Sequence, residues 1–133
     1  MSALPWSRRS FARDLFFLAG WAALIFFLSS IPRLESGLEQ DYFLRKTAHV
    51  IEFAVLTILT VRVLRHASTH HLDVLFGSGL LAFIYALSDE AHQLLVPGRD
   101  GTLYDVGIDS VGIVLAVLLI VLWTGRQTRA TAR

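Results

Sequence analysis

Four apolar runs divide the chain: Leu15–Ile31, Thr47–Val63, Leu72–Leu87 and Val106–Trp123. Each has 16 to 18 residues, roughly 24–27 Å as helix. None alternates apolar with polar at period two, which excludes half-buried strands. Pro32 ends the first run, Arg62 breaks the second, and Gly125 with Arg126 ends the fourth. Carrying the third and fourth runs into their polar flanks, the pattern predicts helices at about 15–31, 47–63, 72–92 and 105–123. The second is the least apolar, because His49 and Glu52 interrupt it. The expectation is an all-α, four-helix transmembrane bundle over residues 15–123, with a basic tail at 1–14 and a second tail at 124–133.

Composition supports this placement. Of 133 residues, 54% are hydrophobic and 17% charged, and mean hydropathy is +0.56. A soluble domain of this size needs more polar surface than that. A net charge of +1 offers no basic field for nucleic acid. The absence of cysteine excludes disulfides, thiolate metal sites and a cysteine nucleophile. The stretch SRRSFAR (Ser7–Arg13) resembles a twin-arginine export signal; with three more apolar runs behind it, it reads as a positive flank.

Charge asymmetry orients the bundle. With four spans, the tails and the second loop carry eight of the twelve Lys and Arg residues. Positive residues in short loops stay in the cytoplasm, so both termini are expected there, in a multi-pass protein of the inner (plasma) membrane. Nine of the eleven acids then lie on or near the outer side: Glu35, Glu39, Asp41, Glu52, Asp89, Glu90, Asp100, Asp105 and Asp109. Only Asp14 and Asp73 fall elsewhere, Asp73 as a helix start. His66, His70 and His71 belong to the inner loop and read as interfacial residues, or as a weak metal site. Trp6, Trp21 and Trp123 read as interface anchors or packing.

Helical spacing puts chemistry on the packing faces. Lys46, His49 and Glu52 are three apart in sequence, on one face of the second helix, which Thr60 continues. Asp89, His92 and Gln93 share a face of the third, continued by the small residues Gly79, Ala82 and Ala86. Asp105 and Asp109 share a face of the fourth with Gly112 and Ala116. In VPGRDG, Pro97 and Gly98 suit the central positions of a tight turn, and Asp100-Gly101 offers a second. Arg99 is thereby held between two helix ends, where a guanidinium clamps carboxylates or phosphates.

These residues carry a resemblance. KTAHVIEF (Lys46–Phe53), SDEAHQLLVPGR (Ser88–Arg99), the spaced Asp105, Asp109 and Gly112, and FFLSSIP (Phe26–Pro32) are similar to the VanZ-like membrane protein family, over about residues 15 to 122. Phe53 stands where that family often has tyrosine. The resemblance implies an integral membrane protein of the cell envelope, linked in a few members to low-level lipoglycopeptide (teicoplanin) resistance, with no settled reaction.

Three functional readings compete with a purely structural one, in which the polar groups only pair and hold the bundle together. In the first, the cluster binds or modifies a phospholipid headgroup or a lipid-linked cell-wall precursor at the outer leaflet. Lys46, His92, Gln93, Arg99 and Asp105 are then the expected ligand contacts. In the second, His49, Glu52, Asp89, Glu90 and Asp109 carry hydrolase or transferase chemistry. Those five, with His92 and Asp105, have ligand types suited to a metal, but their spacing matches no metalloenzyme signature and names no ion or cofactor. The third is a small proton-coupled transporter. Glu52 lies only about 8 Å along the helix from Thr47, shallow for a midplane site. The lipid bilayer is the expected partner, and an oligomer is compatible with all three.

Overall fold

In the computed structural model, which describes residues 10–32 and 39–131, the chain folds into four α-helices. They are α1 (Phe11–Ser29), α2 (Glu39–Leu64), α3 (His71–Gln93) and α4 (Leu103–Thr131). All four are long and apolar enough to cross a membrane. Helix is the expected outcome, because a spanning segment in hydrocarbon must satisfy its own backbone donors and acceptors. Ser7, Arg8, Arg9, Arg33 and Glu35 lie outside the described residues, as do the side chains of Glu39 and Asp41.

Helix bounds differ from the apolar runs where polar residues continue a turn. α2 starts eight residues before Thr47, so Lys46 is a helical residue. α4 passes through Gly125 and Arg126 to Thr131; one glycine costs a helix only about 1 kcal/mol and does not end it. α1 starts at Phe11 and stops at Ser29, short of Ile31.

α4 packs against α2 and α3, and α1 lies mainly against α2 with a smaller contact to α3. The core is thin: Ile25, Phe53, Leu56, Ala82, Ala86, Val106 and Ile113 form its larger part. Most large apolar residues lie on the outside, among them Phe16 (73% exposed), Phe76 (75%) and Leu119 (61%). A soluble surface would not carry such a continuous apolar band; a bilayer accommodates it.

Small residues set the α2–α4 distance. A Cβ on Gly112 would sit 2.2 Å from the carbonyl oxygen of Val50, so α4 approaches the backbone of α2 directly. Ala82, Ala86 and Ala116, at 1% exposure or less, form the buried small-residue seams of α3 and α4. This arrangement brings together the C-terminal ends of α1 and α3 and the N-terminal ends of α2 and α4.

Candidate functional site

Gln93 links three polar side chains at that shared end. Its amide nitrogen donates to Asp89 Oδ2 (2.9 Å) and to Glu90 Oε1 (3.1 Å), while its oxygen accepts from Arg99 Nη1 (3.2 Å). Ser29 Oγ, from α1, also donates to Asp89 Oδ2 at 2.9 Å. Asp89, Glu90 and Gln93 are all buried. Glu90 reaches across the loop, where its Oε2 accepts from the Thr102 amide at 3.0 Å. A Cβ on Gly101 would meet the Glu90 carbonyl oxygen at 2.1 Å, so the chain entering α4 is pressed against α3.

The VPGR segment forms a hydrogen-bonded turn. The Arg99 amide donates to the Val96 carbonyl at 3.1 Å, and Gly98 has φ 74°. This is the type II geometry that Pro97 and Gly98 favour. The second turn expected at Asp100-Gly101 does not form; Gly101 serves the close approach to Glu90 instead. Thr102 then caps α4, with its Oγ1 accepting from the Asp105 amide at 3.1 Å.

Arg99 stands at the corner the turn creates. Its Nε donates to Ile31 O (3.1 Å) and its Nη2 to Leu28 O (2.8 Å). Those carbonyls lie at the C-terminal end of α1, where helical acceptors lack partners. The guanidinium thus ties α1 to the α3–α4 loop.

On the α2 side, His49 Nδ1 lies 2.9 Å from Asp109 Oδ1, and Asp109 is fully buried. An ionised Asp109 holds the imidazole in its Nδ1–H tautomer. Lys46 pairs with Asp105 and lies near the rings of Tyr42 (5.2 Å) and Tyr104 (5.8 Å). Glu52 is partly buried, and its backbone carbonyl accepts from Trp21 Nε1 at 2.9 Å.

His92 is the candidate that turns away. It stacks on Phe26 with centroids 4.3 Å apart, and its Nε2 lies 3.0 Å from Ser30 Oγ. Because Ser30 already donates its hydroxyl to Phe26 O, His92 is the donor of that pair. Its side chain therefore fastens α3 to α1, whereas Asp89 and Gln93 face the bundle interior.

A cavity of about 470 Å³ opens at this end. Arg45, Lys46, His49, Glu52, Gln93, Arg99, Asp100 and Asp105 supply its polar lining, and Leu28, Ile31, Pro32 and Leu44 an apolar wall. Ligand atoms of His49, which lines the cavity, and of buried Asp89 and Glu90 lie within 4.8 Å of one another.

Several contributors escaped the sequence pattern. Ser29 sits in FFLSSIP but has no spacing relation to Asp89. Trp21, read as an anchor or packing residue, donates to the backbone of α2. At the opposite end, buried Asp14 pairs with Arg62 Nη2 (2.5 Å) and with His66 Nε2 (3.0 Å). His66, exposed just beyond the end of α2, is thus also a partner of Asp14. Its spacing to Asp14 crosses two elements, so no local periodicity could reveal the pair.

Four helices long and apolar enough to span a membrane, with their polar groups gathered at the two ends, define a multi-pass membrane protein. The VanZ/LLP1 family model matches residues 11–124, most of the chain, and the protein belongs to that family. Comparison with curated proteins and with solved structures returned no match.

Proposed function

We propose that the cavity binds the headgroup of a phosphate-bearing lipid, either a phospholipid or a lipid-linked cell-wall precursor. The observation that carries this reading is the mixed lining: the cations Arg45, Lys46 and Arg99, interspersed with Glu52, Asp100 and Asp105, beside the apolar Leu28, Ile31, Pro32 and Leu44. Cations at a membrane surface attract a phosphate, and the apolar wall suits the first methylenes of an acyl or prenyl chain. A volume of about 470 Å³ exceeds what a bare phosphate fills and lies within the usual range of small-molecule sites. Arg99 serves more as a brace than as a clamp in this reading, since its donors hold α1 and Gln93; Arg45 makes the first contact, joined by Lys46 as the phosphate takes the place of Asp105 on it.

The excess of Lys and Arg in the tails and second loop supports both termini in the cytoplasm of the inner (plasma) membrane. The cavity then opens to the outer leaflet, where cell-wall precursors reside. Engagement of a precursor there would lower its availability to a lipoglycopeptide such as teicoplanin, which links the site to resistance.

The test is lipid retention by native mass spectrometry. Protein in detergent is offered phosphatidylglycerol, a polyprenyl diphosphate, and a neutral diacylglycerol. We expect retention of one or both phosphate-bearing lipids over the neutral one, weakened at least tenfold in Arg45→Ala/Lys46→Ala. That is the scale of losing charge-assisted hydrogen bonds worth roughly 1.5–3 kcal/mol each. Equal retention of all three, or an unaffected double variant, refutes the reading.

One observation favours a second reading. A buried carboxylate that holds His49 in a fixed tautomer, with the ring on the cavity wall, is an arrangement used for proton transfer. Hydrolysis or transfer on a bound phosphate ester would then require His49, and release of phosphate that survives in His49→Ala would exclude it.

A further inference from the structure

We infer that His49, Asp89 and Glu90 form a binding site for one divalent transition-metal ion, of the Zn²⁺ class. Their ligand atoms lie within 4.8 Å of one another. Ligand atoms around one tetrahedral ion at about 2.0–2.2 Å are about 3.3–3.6 Å apart, so side-chain closure of up to about 1.2 Å completes the set.

The hydrogen bonds around the cluster leave the ligand positions open. Both donors on Asp89, Ser29 Oγ and Gln93 Nε2, go to Oδ2. Asp89 Oδ1 is buried and receives no hydrogen bond, on a residue 3% exposed. A buried anionic oxygen without a donor is costly, and a cation removes that cost. Glu90 takes one donor on each oxygen, so each keeps a lone pair. Among these contacts Lys46 neutralises Asp105, and the Arg99–Gln93 bond ends on the amide oxygen. Neither reaches Asp89 Oδ1.

His49 completes the pattern. Asp109 occupies Nδ1 at 2.9 Å, which leaves Nε2 as the nitrogen to offer. A carboxylate behind a ligating imidazole fixes the tautomer and raises ligand basicity, as is usual behind metal-bound histidines. Gln93 and Ser29 orient Asp89 in the same way. One imidazole with two carboxylates selects a first-row ion such as Zn²⁺ over Ca²⁺ or Mg²⁺, which prefer oxygen alone. The inference does not rest on the headgroup reading, because every ligand comes from the chain.

The experiment uses full-length protein in lipid-free detergent, stripped by chelator and titrated with Zn²⁺, with bound metal counted after gel filtration. About one retained ion per chain is expected, with affinity reduced at least tenfold in Asp89→Asn and in Glu90→Gln. Asp109→Asn should weaken it by about 10–100-fold, as loss of an outer-shell partner does. His92→Ala and His70→Ala/His71→Ala should bind like the wild type. Retention of no ion, or loss of binding only in His70→Ala/His71→Ala, overturns the site. Should the acid variants misfold, zinc X-ray absorption on His70→Ala/His71→Ala decides the matter: a shell of one imidazole plus oxygens supports the site, and a shell without imidazole refutes it. Because no lipid is present, failure here is distinct from failure of headgroup binding.

Discussion

Gly107 and Gly112 lie five residues apart on α4, and one methyl group affects them in opposite ways. Nothing lies within 4 Å of a Cβ at Gly107, whereas one at Gly112 would strike Val50 O and sit 3.1 Å from the Ala54 nitrogen. Gly112→Ala must push helix backbones apart, and a destabilisation of about 1–3 kcal/mol is expected. Gly107→Ala only removes backbone entropy from the unfolded chain and should be neutral or stabilising by up to about 1 kcal/mol. Thermal unfolding in detergent, run side by side, checks the pair; equal melting temperatures would mean the helices are not in backbone contact. Gly101→Ala belongs with Gly112, since it meets the Glu90 carbonyl oxygen, and it should also loosen the loop that carries Arg99.

α1 is attached differently from the other helices. Ile25 is its only buried large apolar residue, with Leu18, Trp21 and Ala22 partly buried against the same core, so its packing seam is narrow. It is also stitched by polar groups along its length: Asp14 to Arg62 and His66, Trp21 to Glu52 O, Tyr85 to Ala22 O (2.6 Å), Ser29 to Asp89, Ser30 to His92, and its last carbonyls to Arg99. Lipid tails are as apolar as leucine, so hydrogen bonds and close contact must hold helices together in a bilayer. Individual bonds of this kind average about 0.6 kcal/mol, and Tyr85→Phe should cost near that amount. Asp14→Ala should cost more, about 1–3 kcal/mol. That is below the ~3–5 kcal/mol of a fully buried pair, because the Arg62 side chain stays 25% exposed. Cross-linking between engineered cysteines on α1 and α2 reports the attachment: yield should fall in Asp14→Ala and stay high in Tyr85→Phe.

For the whole molecule, the two polar ends differ in kind. One joins Asp89 and Glu90 through the Gln93 amide and sets His49 against Asp109; the other holds Asp14 between a guanidinium and an imidazole. In the proposed topology, which follows the positive-inside rule, the first end faces outward. The native chain has no cysteine, so single cysteines can be mapped without background. Asp100→Cys should react with an impermeant maleimide on intact cells, and Thr69→Cys only after permeabilisation. The reverse pattern would invert the topology and remove cell-wall precursors of the outer leaflet as ligands.

Runs of 16 to 18 apolar residues without period-two alternation were enough to establish four membrane helices, because hydrocarbon leaves a lone segment no other way to satisfy its backbone. Spacing on each helix likewise revealed which faces carry Lys46, His49 and Glu52, or Asp89 and Gln93, since helical periodicity is a local property. Pairing between helices is not local. That Asp109 backs His49, that Ser29 reaches Asp89, that His92 turns toward Ser30 and that Asp14 takes His66 as partner all depend on helix rotation and on the close approach at Gly112. Rotation is set by the sum of packing contacts between helices, and these four pairs lie 52 to 62 positions apart in sequence, which no periodicity within one helix encodes.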